Sequence, residues 1–244
     1  MGLMISANLC QYILQYKLCS PFRLYIYLKA TSSGKRKISG EDASYIAEAL
    51  GFKSARAVRN NIKILLGINW IGYNKATGYY FIRGFKSIIC SSLLLTGLRV
   101  EFDIADIQQL KAFTIANVIA KLIVQQKREK RQAERTKGRS SQTCPPSYYP
   151  LACEALAKII GVSVSTASAY KSMAAKHHYI TIRKSYKNTG VLSKNASSYL
   201  KANPEHKGLI RHRKGRIYLQ SVDMVKINLS VRRWKKTERY TKGI

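Results

Sequence analysis

The chain of 244 residues carries 43 Lys and Arg against 12 Asp and Glu, a formal net charge of +31, while 46% of its residues are hydrophobic. That apolar share supports ordinary cores and excludes a disordered polycation; the length suits one large domain or two small ones. So large a positive excess calls for a polyanionic partner, nucleic acid first, and the acid-free stretches before Glu41, from Glu48 to Glu101 and from Glu154 to Glu205 exclude a local acidic active site.

Taken in chain order, Ser20-Pro21 opens a helix over FRLYIYLKA, which ends in the turn-like TSSGKRK. Ser39-Gly40-Glu41-Asp42 reads as an N-terminal cap for a short helix closed by Gly51. Ser54 caps a third helix, ARAVRNNIKILLG, closed by Gly67. WIGYN and YYFIRG then flank Lys75-Ala76-Thr77-Gly78, a hairpin signature. Asp106 is a candidate N-cap for a long helix over 106–137. Its apolar stripe comprises Ile107, Leu110, Phe113, Ile115, Val118, Ile119, Leu122 and Ile123, and its charged tail beyond Gln126 has none. Periodicity lapses at Gly138–Thr143, and Pro145, Pro146 and Pro150 punctuate the segment leading into the second half.

The order then repeats. LACEALAKIIG is a second helix turned by Gly161, and SVSTASAYKSMAAKHH is a third. YITIRKSY is strand-like, with GRIYLQSV (215–222) as its expected returning partner across an enlarged, polar wing. The two copies of this order lie about 110 residues apart and match in pattern, not in identity. Helix, helix, helix, hairpin is the order of a winged helix-turn-helix. The expected fold class is therefore mainly α with small β-hairpins (α+β): two winged helix-turn-helix domains joined by a long central helix. The expected boundaries are 1–97, 98–222 and a basic C-terminal tail over 223–244. A chain cut between Gly84 and Gly97 should leave two folded halves.

The segment EALAKIIGVSVSTASAYKSMAAKHHYI, Glu154 to Ile180, resembles the helix-turn-helix of many bacterial and phage DNA-binding proteins, where an A-L-A-x-x-x-G-V-S run leads through a glycine turn into a Ser-capped recognition helix. Leu156, Ile159, Ile160 and Val162 are expected to bury against Ala167, Tyr170 and Ala174. Ser165, Thr166, Ala169, Ser172 and Lys176 then point outward, and with Ser163 they are the candidate contacts of this helix. Across nearly the whole chain, two such domains on a central helix are similar in architecture to plasmid and phage replication initiator proteins. That resemblance implies binding to repeated origin DNA, with one half also supporting a homodimer.

The third helix of the first half is chemically sharper. Ala55, Val58, Ile62 and Leu65 share one face; Arg56, Arg59, Asn60 and Lys63 share the other, with Lys53 just before it. Arg suits guanine O6/N7, Asn suits adenine and Lys suits phosphate. No acid balances these cations between Ser54 and Gly67, whereas a merely solvated face mixes signs. Basic hairpins come next. Lys75 lies at the first wing tip, Arg183, Lys184 and Lys187 on the second wing, and Arg211, His212, Arg213, Lys214 and Arg216 around the Lys214-Gly215 turn. Arg232, Arg233, Lys235 and Lys236 surround Trp234 in the tail.

Catalytic patterns are missing: there is no phosphate-loop or dinucleotide fingerprint and no H-x-H pair, and Tyr240 lacks a His-x-x-Arg companion. Glu101, Asp103 and Asp106, the one acidic cluster, read as strand and cap residues. Cys10, Cys19, Cys90, Cys144 and Cys153 form no C-x-x-C pair and lie away from His177, His178, His206 and His212 at any zinc-ligand spacing. No metal, cofactor or small-molecule substrate is expected. The N-terminus lacks a basic region before an apolar core, and the longest apolar run, Ile88–Leu98, is broken and short. The expectation is a soluble, cytoplasmic, nucleoid-associated protein with no membrane partner. It is a non-enzymatic, sequence-specific binder of double-stranded DNA, an initiator or transcriptional regulator, using helices 54–66 and 163–177 and the basic wings. The alternative is a structural or packaging protein that coats nucleic acid with little sequence preference. The tyrosines are dispersed and form no tandem stacking motif, which speaks against RNA.

Overall fold

The structure, a computed structural model, describes residues 2–92, 94, 97–136, 147–206 and 209–232. It is a mixed fold of helices and small antiparallel sheets. The first part runs β1 (Gly2–Ser6), α1 (Ala7–Gln15), α2 (Cys19–Thr31), β2 (Lys35–Arg36), α3 (Gly40–Leu50), α4 (Ala55–Gly67), β3 (Ile71–Asn74), β4 (Tyr79–Ile82) and α5 (Phe85–Ser91). There follow β5 (Arg99–Asp103), a 3-10 segment (Ile104–Gln109), α6 (Leu110–Thr136), β6 (Tyr149–Pro150), α7 (Cys153–Ile160) and α8 (Val164–Lys176). The chain ends in β7 (Ile180–Arg183), β8 (Tyr186–Leu192), α9 (Ala196–Ala202), β9 (Ile210–Arg213), β10 (Arg216–Gln220), β11 (Met224–Ile227) and β12 (Val231–Arg232).

Two parts of the chain share one topology. In the first, α2, β2, α3, α4, β3 and β4 follow in order, and the sheet order is β2-β4-β3. In the second, α6, β6, α7, α8, β7 and β11 take the same roles, and the sheet order is β6-β11-β7. The repeat extends to the caps. Gly51 (φ 66°) ends α3 and Gly161 (φ 74°) ends α7, both left-handed, where a side chain would be strained. Asn69 (φ 61°) and His178 (φ 60°) end α4 and α8 in the same conformation. There the Trp70 N–H donates to Leu65 O (2.9 Å) and the Tyr179 N–H to Ala174 O (3.1 Å). At the start of α3 the Asp42 N–H donates to Ser39 Oγ (3.1 Å) and the Ser39 N–H to the Asp42 carboxylate (2.9 Å), a complete capping box.

Each half is built on a helix with a broad buried face. In α2, Pro21, Phe22, Leu24, Tyr25, Ile26 and Leu28 are all buried; the proline is tolerated because it sits in the first turn. In α6 the buried run extends from Leu110 to Ile123 and includes the eight positions of the expected stripe with its 3-10 lead-in. By length and composition this segment could cross a membrane; here it is a core helix, mostly buried. Beyond Gln126 the described side chains are exposed or half-buried, and Lys127 lies over the Tyr149 ring (4.9 Å).

Four expectations are corrected. The returning partner of β7 is β11, with Val225 opposite Ile182, and not the strand at 215–222. That strand, β10, pairs instead with β8 and β9 in a separate sheet, and the Ser221 N–H after it donates to Ser185 O (3.0 Å) after β7. Ile180 and Val225 are both buried, so core burial selects this pairing where alternation alone leaves several strands equivalent. Residues 223–232, expected as tail, form β11 and β12, the latter paired to β5. Asp106 does not cap the long helix: Asp103 accepts from the Ala105 N–H (3.2 Å), and Asp106 lies inside the 3-10 segment at φ −89°, ψ 18°. Finally, β1 and α1, which carry no strong sequence signal, pair with β5 and pack on α6 and α7. Asn117 Nδ2 on α6 donates to Ile5 O (3.2 Å), and Lys121 Nζ donates to Gln11 Oε1 (2.6 Å). The N-terminal residues thus complete the second half of the molecule. The Gly138–Thr143 stretch, Pro145, Pro146, Cys144, Arg233, Trp234, Lys235, Lys236 and Tyr240 lie outside the described residues.

Candidate nucleic-acid interface

Helix α4 separates two faces as its sequence spacing dictates. Val58 (0% exposed), Ile62 (5%) and Leu65 (0%) are in the core, and Ala55 packs against it. Arg56, Arg59, Asn60 and Lys63 are all exposed on the other side, with Lys53 at the helix entrance. Ser54 occupies the N-cap position without a side-chain cap bond, and its carbonyl accepts from the Ala57 N–H (3.0 Å). No acidic residue lies on this helix. Asn61, next to Asn60, is buried, which the helical spacing alone did not single out.

In α8 the N-terminal hydroxyls are already engaged with one another. Ser163 Oγ accepts from the Thr166 N–H (3.2 Å) and lies 3.0 Å from Ser165 Oγ and 2.8 Å from Thr166 Oγ1. Ser165, Ser172 and Lys176 are exposed and Thr166 is half-buried. Leu156, Ile160, Ala167 and Ala174 are fully buried, while Ile159, Val162 and Tyr170 pack on the core at its margin. The apolar seam between α7 and α8 therefore closes, and the outward face of α8 offers small polar groups with a single cation, Lys176.

Lys75 is exposed at the β3–β4 tip, in a turn held by Asn74 Oδ1 accepting from the N–H groups of Ala76 (2.9 Å) and Thr77 (3.3 Å). In the second wing the register sorts the basic cluster. Arg216 stands opposite Arg213 and Tyr218 opposite Arg211, so the three arginines share one face of the β9–β10 hairpin. His212 faces the other way, opposite the buried Ile217. Lys214 (φ 48°) and Gly215 (φ 69°) make a two-residue turn with both φ angles positive, the type that matches strand twist. The Arg213 guanidinium lies over the Tyr186 ring (4.3 Å), and Tyr186 also lines a cleft with Arg183 and Lys184. Six of the predicted basic residues, Arg183, Lys184, Arg211, Arg213, Lys214 and Arg216, are thus gathered at this hairpin and the cleft beside it. Direct opposition of Arg213 and Arg216 is unfavourable until an anion intervenes.

One functional relationship escaped the sequence. Lys171, on α8 beside the expected contact residue Ser172, is buried, and its Nζ donates to Asp223 Oδ2 at 2.6 Å. Burial alone would lower its pKa; hydrogen bonds to Asp223 and Cys153 outweigh that and hold the ammonium above its usual range. The pair fastens α8 to the start of β11. Among the described residues, no group of three or more His, Cys, Asp and Glu converges as a metal site would require. No protein-family model matches this chain, and no characterised protein or solved structure shows a significant likeness to it.

Proposed function

We propose that this is a double-stranded DNA-binding protein built from two winged helix-turn-helix units, α2–β4 and α6–β11. The reading is supported by the repeated topology and shared cap positions, and one observation carries it. The exposed face of α4 presents Arg56, Arg59, Asn60 and Lys63 without an acid, on the helix that follows the glycine turn. Those side chains suit base edges, while the hydroxyls at the start of α8 and the basic β9–β10 hairpin suit phosphates.

Within that class, the tandem units on the central helix α6 best suit a replication initiator or a transcriptional regulator acting in the cytoplasm on the nucleoid, with a homodimer as its assembled form. The arginine face of β9–β10 favours a second reading, a coat of nucleic acid with little sequence preference, because it concentrates three cations outside the elements that repeat between the two units. Selection of bound sites from randomised duplex DNA decides between them. A recovered consensus supports the regulator or initiator, and enrichment of no sequence supports the coat.

A further inference from the structure

The sheet of the first unit has two faces of different chemistry. Ile71 and Ile82 face each other across β3 and β4 and are buried, with the Tyr73–Tyr80 pair extending the same face. On the opposite face, Phe81 is 44% exposed on the central strand. Its neighbours across the two ladders are Gly72, which has no side chain to cover the ring, and Lys35. Two residues along the same strand and on the same face is Tyr79, with Lys37 Nζ 5.0 Å and Lys35 Nζ 5.6 Å from its ring centroid. The tyrosines that look dispersed in the sequence thus supply, with Phe81, two aromatic rings in line, flanked by cations.

We propose that this outward face binds single-stranded DNA, with Phe81 and Tyr79 stacking on successive bases and Lys35 and Lys37 meeting the adjoining phosphates. Residues i and i+2 of a strand are about 7 Å apart, roughly twice the stacked spacing of bases in one strand of a duplex. A stretched single strand can therefore place one base on each ring, and a paired duplex cannot. Stacking on aromatic rings beside a positive groove is the general chemistry of single-strand binding. A second copy of this chain is a poor occupant, because the charged side chains on the face are lysines and pairing two copies would set them against each other. A single-stranded RNA would stack on the same rings, so a wild-type preference for oligo-U counts against the proposal.

The proposal stands apart from the duplex reading, and the test keeps them apart. The full chain is titrated into a labelled oligo-dT of about 20 nucleotides, and into a duplex of equal length, with fluorescence anisotropy as the readout. Phe81→Ala and Tyr79→Ala should each weaken oligo-dT binding about tenfold or more while leaving duplex binding unchanged, and Phe81→Tyr should keep wild-type affinity. Arg56→Ala should leave oligo-dT binding intact, so failure of the duplex reading would not be mistaken for failure of this one. Oligo-dT affinity unchanged in both alanine variants would overturn the proposal. So would equal losses on duplex, or a wild-type preference for oligo-U. A dimer in sedimentation that Phe81→Ala dissolves would overturn it in favour of a second copy.

Discussion

Lys171, midway along α8, reaches Asp223 at 2.6 Å, and the two side chains are 5% and 14% exposed. The pair joins α8 to the residue that precedes β11, and the Leu151 N–H donates to Asp223 O (2.9 Å), bringing the end of β6 to the same point. All the layers of the second unit meet there. Removing one partner leaves a buried charge, so Lys171→Met should cost about 3–5 kcal/mol, read from the urea midpoint. Replacing both residues by apolar ones should recover most of that loss. The raised Lys171 pKa sets the sign of the pH dependence: its contribution is complete below about pH 10.4, the unfolded value, and is lost as pH rises through the folded pKa.

Tyr179 predicts a second alkaline effect. Burial, reinforced by the Asp106 charge, pushes its phenol up to about 12. Its hydroxyl is buried with no hydrogen-bond partner, while its ring meets Phe113 edge-on at 5.8 Å. A neutral Tyr179 therefore favours the fold below about pH 10, and that contribution disappears as pH rises toward 12. Tyr179→Phe keeps the ring contact and removes the unsatisfied group. It should be neutral or stabilising at pH 7 and should flatten this part of the alkaline decline in thermal melts.

Base reading and coating separate at Arg56 and Arg59. If these residues read bases, Arg56→Ala or Arg59→Ala should cost about 1–3 kcal/mol on the preferred duplex and relax its sequence at one position. Lys63→Ala, a phosphate contact under either reading, should weaken all duplexes alike. The folds should survive, because the core contacts of α4 come from Val58, Ile62 and Leu65. Equal losses on preferred and scrambled duplexes for both arginines would leave only the coat.

Duplex affinity should fall steeply with salt. Neutralising about eight phosphates gives a log–log slope near −7. Arg213→Ala or Arg216→Ala should each make that slope shallower by about one unit without changing the preferred sequence, since the hairpin carries charge and no base-reading amide. A slope near zero in the wild type would rule out nucleic acid as the partner.

Cutting the chain between Gly84 and Gly97 should not yield two stable halves. The fragment 98–244 would lack Ile5, Leu9 and Ile13, all fully buried, and would leave Asn117 without its acceptor on Ile5. Circular dichroism should show it less cooperative than the full chain, and adding a peptide of residues 1–17 should restore cooperativity. A fragment that melts as sharply alone as with the peptide would show that α1 is dispensable to the second unit.

Much of this molecule is local and therefore readable in one dimension. The capping box at Ser39 and Asp42, the left-handed glycines 51 and 161, the apolar stripe of α6 and the two faces of α4 all follow from spacings of a few residues. The repeated helix order and the basic cluster near Lys214 are legible for the same reason. Tertiary structure decided what depends on distant partners. Whether β7 takes β10 or β11 turns on which apolar face the helices leave uncovered, and several strands share the same alternation. The packing of α1 on α6 joins residues more than 100 positions apart. Lys171 looks like any lysine on a polar helix until Asp223 is brought beneath it, and Phe81 looks like any core residue until the register turns it outward opposite Gly72. Side-chain chemistry and short-range periodicity determine which elements form. Which face of each is buried is settled only when the pieces compete for the same core, because burial belongs to the assembly and not to any segment of it.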